Sequence, residues 1–340
     1  MKAEHVKRRN GKPLEKRNST FSEKVDRISD LPDALIHHIL SFRDMTYAID
    51  TSYLSRRWRN VWKSLPILNL DSFRFLRNYE EGERWLAGFL DFVDRVLLFR
   101  DDSDIRRFEL DLLKGEYKDC PKCDIITGRV HTWMHALVRR NIQEVSIGIY
   151  LDMSLFIHIP QCLLNCKSLT SLELVMKGKH RANKLIASCP VLETLILVGI
   201  KTDDHLNLTI NSSTLKLLEV NDCGYDCSLD YTTAKIIKLN APNLLYFICE
   251  GYMTQEYSVE NLSSLQVADI EMNIEKSIDL DVDPGTDSDT DDDKVKEGKL
   301  ERYLRLSAEG KTMYGMCMAK FLEALHNVED LRLYPTSSPI

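Results

Sequence analysis

Eight times between Ile105 and Leu333 the chain returns to one six-residue pattern, apolar-x-x-apolar-x-apolar, and that return constrains its fold more than any other feature. The copies are IRRFEL from Ile105, IQEVSI from Ile142, LTSLEL from Leu169, LETLIL from Leu192, LKLLEV from Leu215, LLYFIC from Leu244, LQVADI from Leu265 and VEDLRL from Val328. Starts at 169, 192, 215, 244 and 265 are separated by 23, 23, 29 and 21 residues, a period typical of short repeats that stack. In each copy the last two apolar positions lie two residues apart, so both point to one side of a short strand. A single copy leaves that side wet. Stacked neighbours cover it, which defines a solenoid of parallel strands. The longer intervals, 37 residues after Ile105 and 63 after Leu265, mark irregular units or insertions.

The N-terminal part follows another period. In DLPDALIHHILSF, Leu31, Leu35, Ile36, Ile39 and Leu40 fall at offsets 0, 4, 5, 8 and 9, one stripe along a helix. Ser29 and Asp30 are capping types and Pro32 suits a first turn, so a helix to about Ser41 is expected. MTYAIDTSYLSRRWRNVWKSLP places Met45, Ala48, Ile49, Ser52 and Tyr53, then Leu54, Trp58, Val61 and Trp62, at spacings that fit two more short helices. Three helices in so short a stretch bury too little to stand alone. Their stripe must pack within the trio, lean on the following domain, or meet a second protein.

Composition limits the partners. A formal charge of -7 and a pI near 5.8 speak against general affinity for nucleic acid, and no run approaches the ~18 apolar residues of a membrane span. An intracellular protein is expected, in nucleus and/or cytoplasm, with nucleic acid and membrane absent from its partners. The nine cysteines then read mostly as buried thiols rather than disulfides. Residues 1–25 read as a disordered basic tail, and KRRNGKPLEKR within it fits a nuclear-import signal or a solubilising segment equally. Residues 279–298 read as a disordered acidic loop opened by DLDVDPGTDSDTDDD. Its EF-hand frame from Asp279 fails, with Pro284 and Thr290 where Gly and Glu are required. Ser288 and Thr290 there are candidates for an acid-directed kinase, set against a merely solvated run.

Catalytic chemistry finds little support. CPKC, Cys120 to Cys123, supplies half a zinc site, but Cys162 with Cys166 and Cys223 with Cys227 do not complete it at a defined spacing. His37 and His38 are adjacent and point to different helix faces, unlike a metal-binding i, i+4 pair. There is no G-x-S-x-G elbow, phosphate loop or dinucleotide fingerprint. No cofactor, no metal and no catalytic residue of the chain's own is expected.

The residues Leu31, Pro32, Leu35, Ile36, Ile39, Leu40, Leu54, Ser55, Arg57, Trp58, Arg59 and Trp62 closely resemble the F-box of plant F-box proteins that carry leucine-rich repeats. The resemblance covers about 45 residues. It implies an α/β fold, a three-helix F-box over residues 26–66 followed by a leucine-rich-repeat solenoid over 105–340. A linking helical segment spans 67–104, and helices or irregular segments lie on the convex side of the solenoid. GERWLAGFLDFVDRVLLFRDDSDIRRFELDL resembles the family's connecting helix, with Phe89, Phe92, Val93, Val96 and Leu97 as its buried face.

In function the resemblance implies a substrate-recognition subunit that binds a Skp-type adaptor and, through it, the cullin and RING subunits of a ubiquitin ligase. Its adaptor-binding residues would be Leu31, Pro32, Leu35, Ile36, Ile39, Leu40, Leu54 and Trp58, with Trp58 and Trp62 also bracing the trio. The repeats would hold a target protein that the sequence does not identify. Two departures stand out. Arg43-Asp44 occupies the place where the family has Leu-Pro, and losing that leucine contact weakens the turn or interface by roughly 1 to 3 kcal/mol. The chain also stops seven residues past Leu333, so the further C-terminal domain of many members is expected to be absent. The rival expectations are a non-ligase scaffold with a degenerate F-box, and an enzyme with an atypical site.

Overall fold

The computed structural model describes residues 28–77, 84–112, 123–150, 156–157, 161–176, 181–182, 186–187, 189–199, 201–202, 208–221, 236–252, 256–273 and 308–334. The expected basic tail, the acidic loop with Ser288 and Thr290, and Cys120, Cys223 and Cys227 lie outside them.

The helices are α1 (Asp33–Leu40), α2 (Met45–Asp50), α3 (Phe73–Arg77), α4 (Arg84–Phe99), α5 (Cys123–Val138), α6 (Gln161–Leu164) and α7 (Ala308–Ala324), with 3-10 turns at Thr51–Tyr53 and Trp58–Ser64. The first strands are β1 (Ile67–Asp71), β2 (Arg107–Leu112), β3 (Glu144–Ile149), β4 (Phe156–Ile157), β5 (Ser171–Met176), β6 (Arg181–Ala182), β7 (Ile186–Ala187) and β8 (Thr194–Val198). They continue as β9 (Lys201–Thr202), β10 (Leu208–Asn211), β11 (Leu217–Asn221), β12 (Ile236–Asn240), β13 (Tyr246–Tyr252), β14 (Glu256–Glu260), β15 (Val267–Asn273) and β16 (Asp330–Tyr334).

All eight expected strands form, each starting two residues after its template. They join β1 in a nine-stranded parallel sheet of order β1-β2-β3-β5-β8-β11-β13-β15-β16. The step from unit to unit is regular. The residue before the strand donates its N–H to the preceding unit, Thr170 to the Gln143 carbonyl, Glu193 to Thr170 and Lys216 to Glu193, each 2.8 Å, and the first residue of β16, Asp330, donates to Gln266 at 2.9 Å. The last bond shows that the 63-residue interval is an excursion that rejoins the stack in register. That interval contains α7, whose Phe321 ring packs 4.7 Å from Tyr257 and 6.3 Å from Phe247. The 37-residue interval contains α5.

Template side chains from Ile105 to Ile270 are buried, and each such burial contributes about 1.5–3 kcal/mol. The eighth unit differs, because Leu331 and Leu333 of β16 are exposed. A tight passage follows β8, where Gly199 has a φ of 68° and an added Cβ would stand 1.8 Å from the Met176 carbonyl oxygen, so no side chain fits there.

Two features depart from expectation. The segment 67–104 is not purely helical: it opens on β1, whose Leu68 and Leu70, with Leu65 two residues before the strand, repeat the template and are buried. The other side of the solenoid carries parallel strands as well as helices and irregular segments, in a sheet of order β14-β12-β10-β7 and another of order β4-β6-β9. In α4, Phe89, Val93, Val96 and Leu97 are buried and Phe92 partly so, as expected. Asp94 accepts the Trp133 indole N–H at 2.6 Å and ties α4 to α5.

The N-terminal helices join the sheet directly. α2 packs on β1, and the Pro66 carbonyl accepts N–H bonds from Arg106 at 2.7 Å and Arg107 at 3.1 Å. After α4, the guanidinium nitrogens of Arg100 are buried without a hydrogen-bond partner among the described residues. Burial lowers its pKa to about 10, with Arg140 adding to the effect and Asp101 opposing it.

Candidate adaptor-docking face

α1 starts later than its capping residues suggest. Pro32 stands at the N-cap with φ -56° and ψ 146° and makes no side-chain cap bond. Ser29 and Asp30 lie in the preceding turn, closed by the Leu31 N–H on the Ile28 carbonyl at 3.2 Å. Ser29 serves elsewhere, its hydroxyl accepting the Trp58 indole N–H at 3.1 Å. Asp33 meets Arg57 at 2.8 Å, which fastens the third segment to the start of α1.

That third segment is a 3-10 turn, so residues three apart share a face. Trp58 and Val61 go inside, and Trp62, one residue further round, is only partly buried. Trp58 and Trp62 thus both pack on the trio's core, Trp62 in part, and Val61 joins them. Tyr53, expected on a buried helical stripe, is swung outward by the 3-10 turn at Thr51–Tyr53 and is exposed.

The apolar stripe of α1 divides in two. Ile36, at 0% exposure, and Leu40 enter the core with Met45, Ala48, Trp58 and Leu65, and Leu31 packs partly against them. One helical step round, Leu35 and Ile39 are each 50% exposed, and Phe42 just past the helix is 73% exposed. These three stand at i, i+4 and i+7, one continuous line on the surface. Pro32 and Leu54 are exposed too. Of the eight residues expected to meet the adaptor, Ile36, Leu40 and Trp58 are buried in the core, where the trio and β1 cover them. Pro32, Leu35, Ile39 and Leu54 remain available, with Leu31 at the margin. Phe42 and Tyr53 were missed, although Phe42 is readable as the next term after Leu35 and Ile39.

Arg43-Asp44 has a clear local effect. Asp44 is the N-cap of α2, its carboxylate accepting the N–H groups of Thr46 at 2.8 Å and Tyr47 at 3.2 Å, an arrangement that contributes about 1 kcal/mol. Arg74 stacks on the Tyr47 ring at 3.9 Å, and Arg43 approaches it at 5.9 Å. His38 lies edge-on to Phe42 at 5.0 Å and supports the far end of the exposed line. His37 is turned to the Ser64 hydroxyl at 3.2 Å.

The Cys162 thiol lies 3.1 Å from His135 Nδ1, but burial raises its pKa, which disfavours a thiolate nucleophile. Among the described residues no group of three His, Cys, Asp or Glu is placed to hold a metal ion, and no helix is long and apolar enough to cross a membrane. Cys166 and Cys189 are buried free thiols, and Cys249 is buried too.

The structure joins a helical trio, one side buried and one side exposed, to a parallel repeat sheet. The F-box domain family matches residues 28–70, ending within β1 rather than at 66. An F-box/LRR-repeat protein of Arabidopsis thaliana, At3g58900, is 32% identical over 270 residues, covering 73% of this chain and 80% of that protein. At3g58930, another F-box/LRR-repeat protein of that plant, is 28% identical over 73% of this chain and 56% of its own length. The Arabidopsis F-box protein At3g59000 is 28% identical over 93% of this chain and 66% of its own. The chain belongs to the plant F-box/LRR-repeat family. It spans little more than half the length of most of the curated relatives it matches, and no solved structure matches it.

Proposed function

We propose that the chain is a substrate-recognition subunit of a Skp-cullin-F-box ubiquitin ligase, binding the Skp-type adaptor through α1 and its neighbours and a target protein through the repeats. The observation that carries this is the exposed line Leu35, Ile39 and Phe42, with Leu54 beside the same trio. Three large apolar side chains in line on one exposed side of the trio fit burial against a partner helix or groove. The chain contributes no chemistry of its own. It raises the effective concentration of target lysines near a ubiquitin-conjugating enzyme brought by the cullin and RING subunits. The basic N-terminal residues favour action in the nucleus and/or cytoplasm, checked by imaging a tagged chain with and without residues 1–20.

Co-purification of the full chain with the Skp-type adaptor tests the reading. The native chain should retain the adaptor and a Leu35→Asp, Ile39→Asp variant should lose it while remaining folded. A folded native chain that brings down no adaptor favours the second reading, a scaffold that sequesters its target without a ligase. Arg43-Asp44 motivates that reading, but the cap supplied by Asp44 keeps the turn ordered and leaves the exposed line intact.

A further inference from the structure

Adaptor docking leaves one buried charged group unused. Arg100 follows α4 and is only 6% exposed, and its Nε and both Nη atoms are buried without a hydrogen-bond partner among the described residues. The Nε of Arg140, just past α5, is buried and unpartnered in the same way. A guanidinium carries five N–H donors in a rigid fork. Leaving such a charge dry and unpaired is among the costliest arrangements a core can hold.

The backbone brings the two arginines to one place. Ile105 donates its N–H to the Arg140 carbonyl at 2.9 Å, and Asn141 Nδ2 donates to the Asp104 carboxylate at 2.9 Å. On the other side the Asp101 N–H reaches the Lys63 carbonyl at 3.3 Å. The stretch 100–105 is thereby strapped between the end of α5 and the 3-10 turn Trp58–Ser64. The other charges of this neighbourhood are engaged elsewhere. Asp101 is exposed and accepts the Ser103 N–H at 3.0 Å, Asp104 is exposed and holds Asn141, and the Lys63 ammonium lies 6.0 Å from the Trp62 ring. An anion is what two such forks bind. A carboxylate of another protein has no way in, because the Arg100 nitrogens present no open surface. A small tetrahedral oxyanion can be enclosed behind the mostly exposed residues 101–104, and it offers oxygens to both forks at once.

We propose that Arg100 and Arg140 form a site for one inorganic phosphate ion, enclosed where the helical trio, α4 and α5 meet the first repeats. The ion supplies the acceptors that the Arg100 fork and the Arg140 Nε lack, and it holds the 100–105 strap against the end of α5. Its role is structural: it braces the joint between the two parts of the chain, whatever the trio and the repeats bind.

The test is equilibrium binding of radiolabelled inorganic phosphate to the full chain after dialysis into chloride buffer, beside thermal melts at matched ionic strength. Expected are saturable binding of one ion per chain, a rise in melting temperature of about 3 °C on saturation, and slower exchange of the Ile105 amide. Glycerol phosphate should bind about tenfold more weakly, because its ester group does not fit an enclosed site. Arg100→Met and Arg100→Lys should each lose about tenfold or more in affinity, the second because an ammonium keeps the charge and not the fork. Arg332→Met, on the exposed strand β16, should bind as the native chain does. In chloride buffer Arg100→Met should melt above the native chain, and phosphate should raise only the native one. Absence of saturable binding to the folded native chain, unchanged affinity in a folded Arg100→Met variant, or equal affinity for glycerol phosphate overturns the inference.

Discussion

In the sheet, Leu172 lies between Val145 of one neighbouring strand and Leu195 of the other, and the three are fully buried. On α1, Leu35 and Ile39 have the trio beneath them and water above. Both regions place apolar residues at regular spacing, yet only the sheet supplies its own cover. A repeated strand is followed by a copy of itself, whereas a short helix bundle has a second side with no successor. Surface left open in the first case is a structural end. In the second it is an opportunity for another protein.

The sharpest way to break that contrast is a pair of truncations. Leu172→Ala should lower the unfolding free energy by about 3 kcal/mol in urea titration, and hydrogen exchange should show lost protection in β3, β5 and β8 together. Leu35→Ala should change stability by less than ~0.5 kcal/mol. A loss above ~1 kcal/mol for Leu35 would mean that its side chain is structural and the exposed line is no docking face.

At the junction of the two regions, Arg100→Met in phosphate-free buffer should raise stability by about 1 kcal/mol, because it replaces an unpaired buried charge with an apolar chain of similar length. A fall in melting temperature would reveal an uncounted partner for the guanidinium.

On the sheet, burial and then the neighbouring Glu109, Asp71 and Glu173 raise the Asp111 pKa to about 6, so it binds its proton more tightly folded than unfolded. The folded chain therefore carries more protons between about pH 4 and pH 6, and stability falls as pH rises through that window. Asp111→Asn should flatten the fall and raise stability at pH 7 by roughly 1 kcal/mol, discounted for partial exposure. An unaltered pH profile in thermal melts would count against the crowding of carboxylates on this face.

On the helical side, Asp44→Ala should cost about 1 kcal/mol, read as faster amide exchange at Thr46 and Tyr47 with the sheet unaffected. Exchange that accelerates in the sheet as well would join two regions described here as separately covered.

The eight template strands were legible because each is a local pattern of three apolar residues. β1 was not, although Leu65, Leu68 and Leu70 obey the same pattern, because Leu65 and Pro66 read first as the end of the helical segment. The short strands of the other two sheets have no pattern to read. Arg181–Ala182 and Lys201–Thr202 are strands because the neighbouring turn of the solenoid supplies hydrogen-bond partners, which no local spacing records. The docking face was half legible for a related reason. The stripe from Leu31 to Leu40 is wide enough to serve two surfaces, and only the long-range arrival of Trp58, Leu65 and β1 decides that Ile36 and Leu40 turn inward while Leu35 and Ile39 stay out.

β1 belongs at once to the helical trio and to the sheet, so the two parts share a strand instead of a tether. Such a joint transmits torque. With the Pro66 carbonyl clamped by two N–H groups and Leu68 and Leu70 buried, the helices have no swivel, and their bearing relative to the sheet is set when the chain folds. Adding or deleting a repeat would turn and displace whatever the far strands hold by one fixed increment relative to whatever sits on α1, making repeat number a heritable setting of aim.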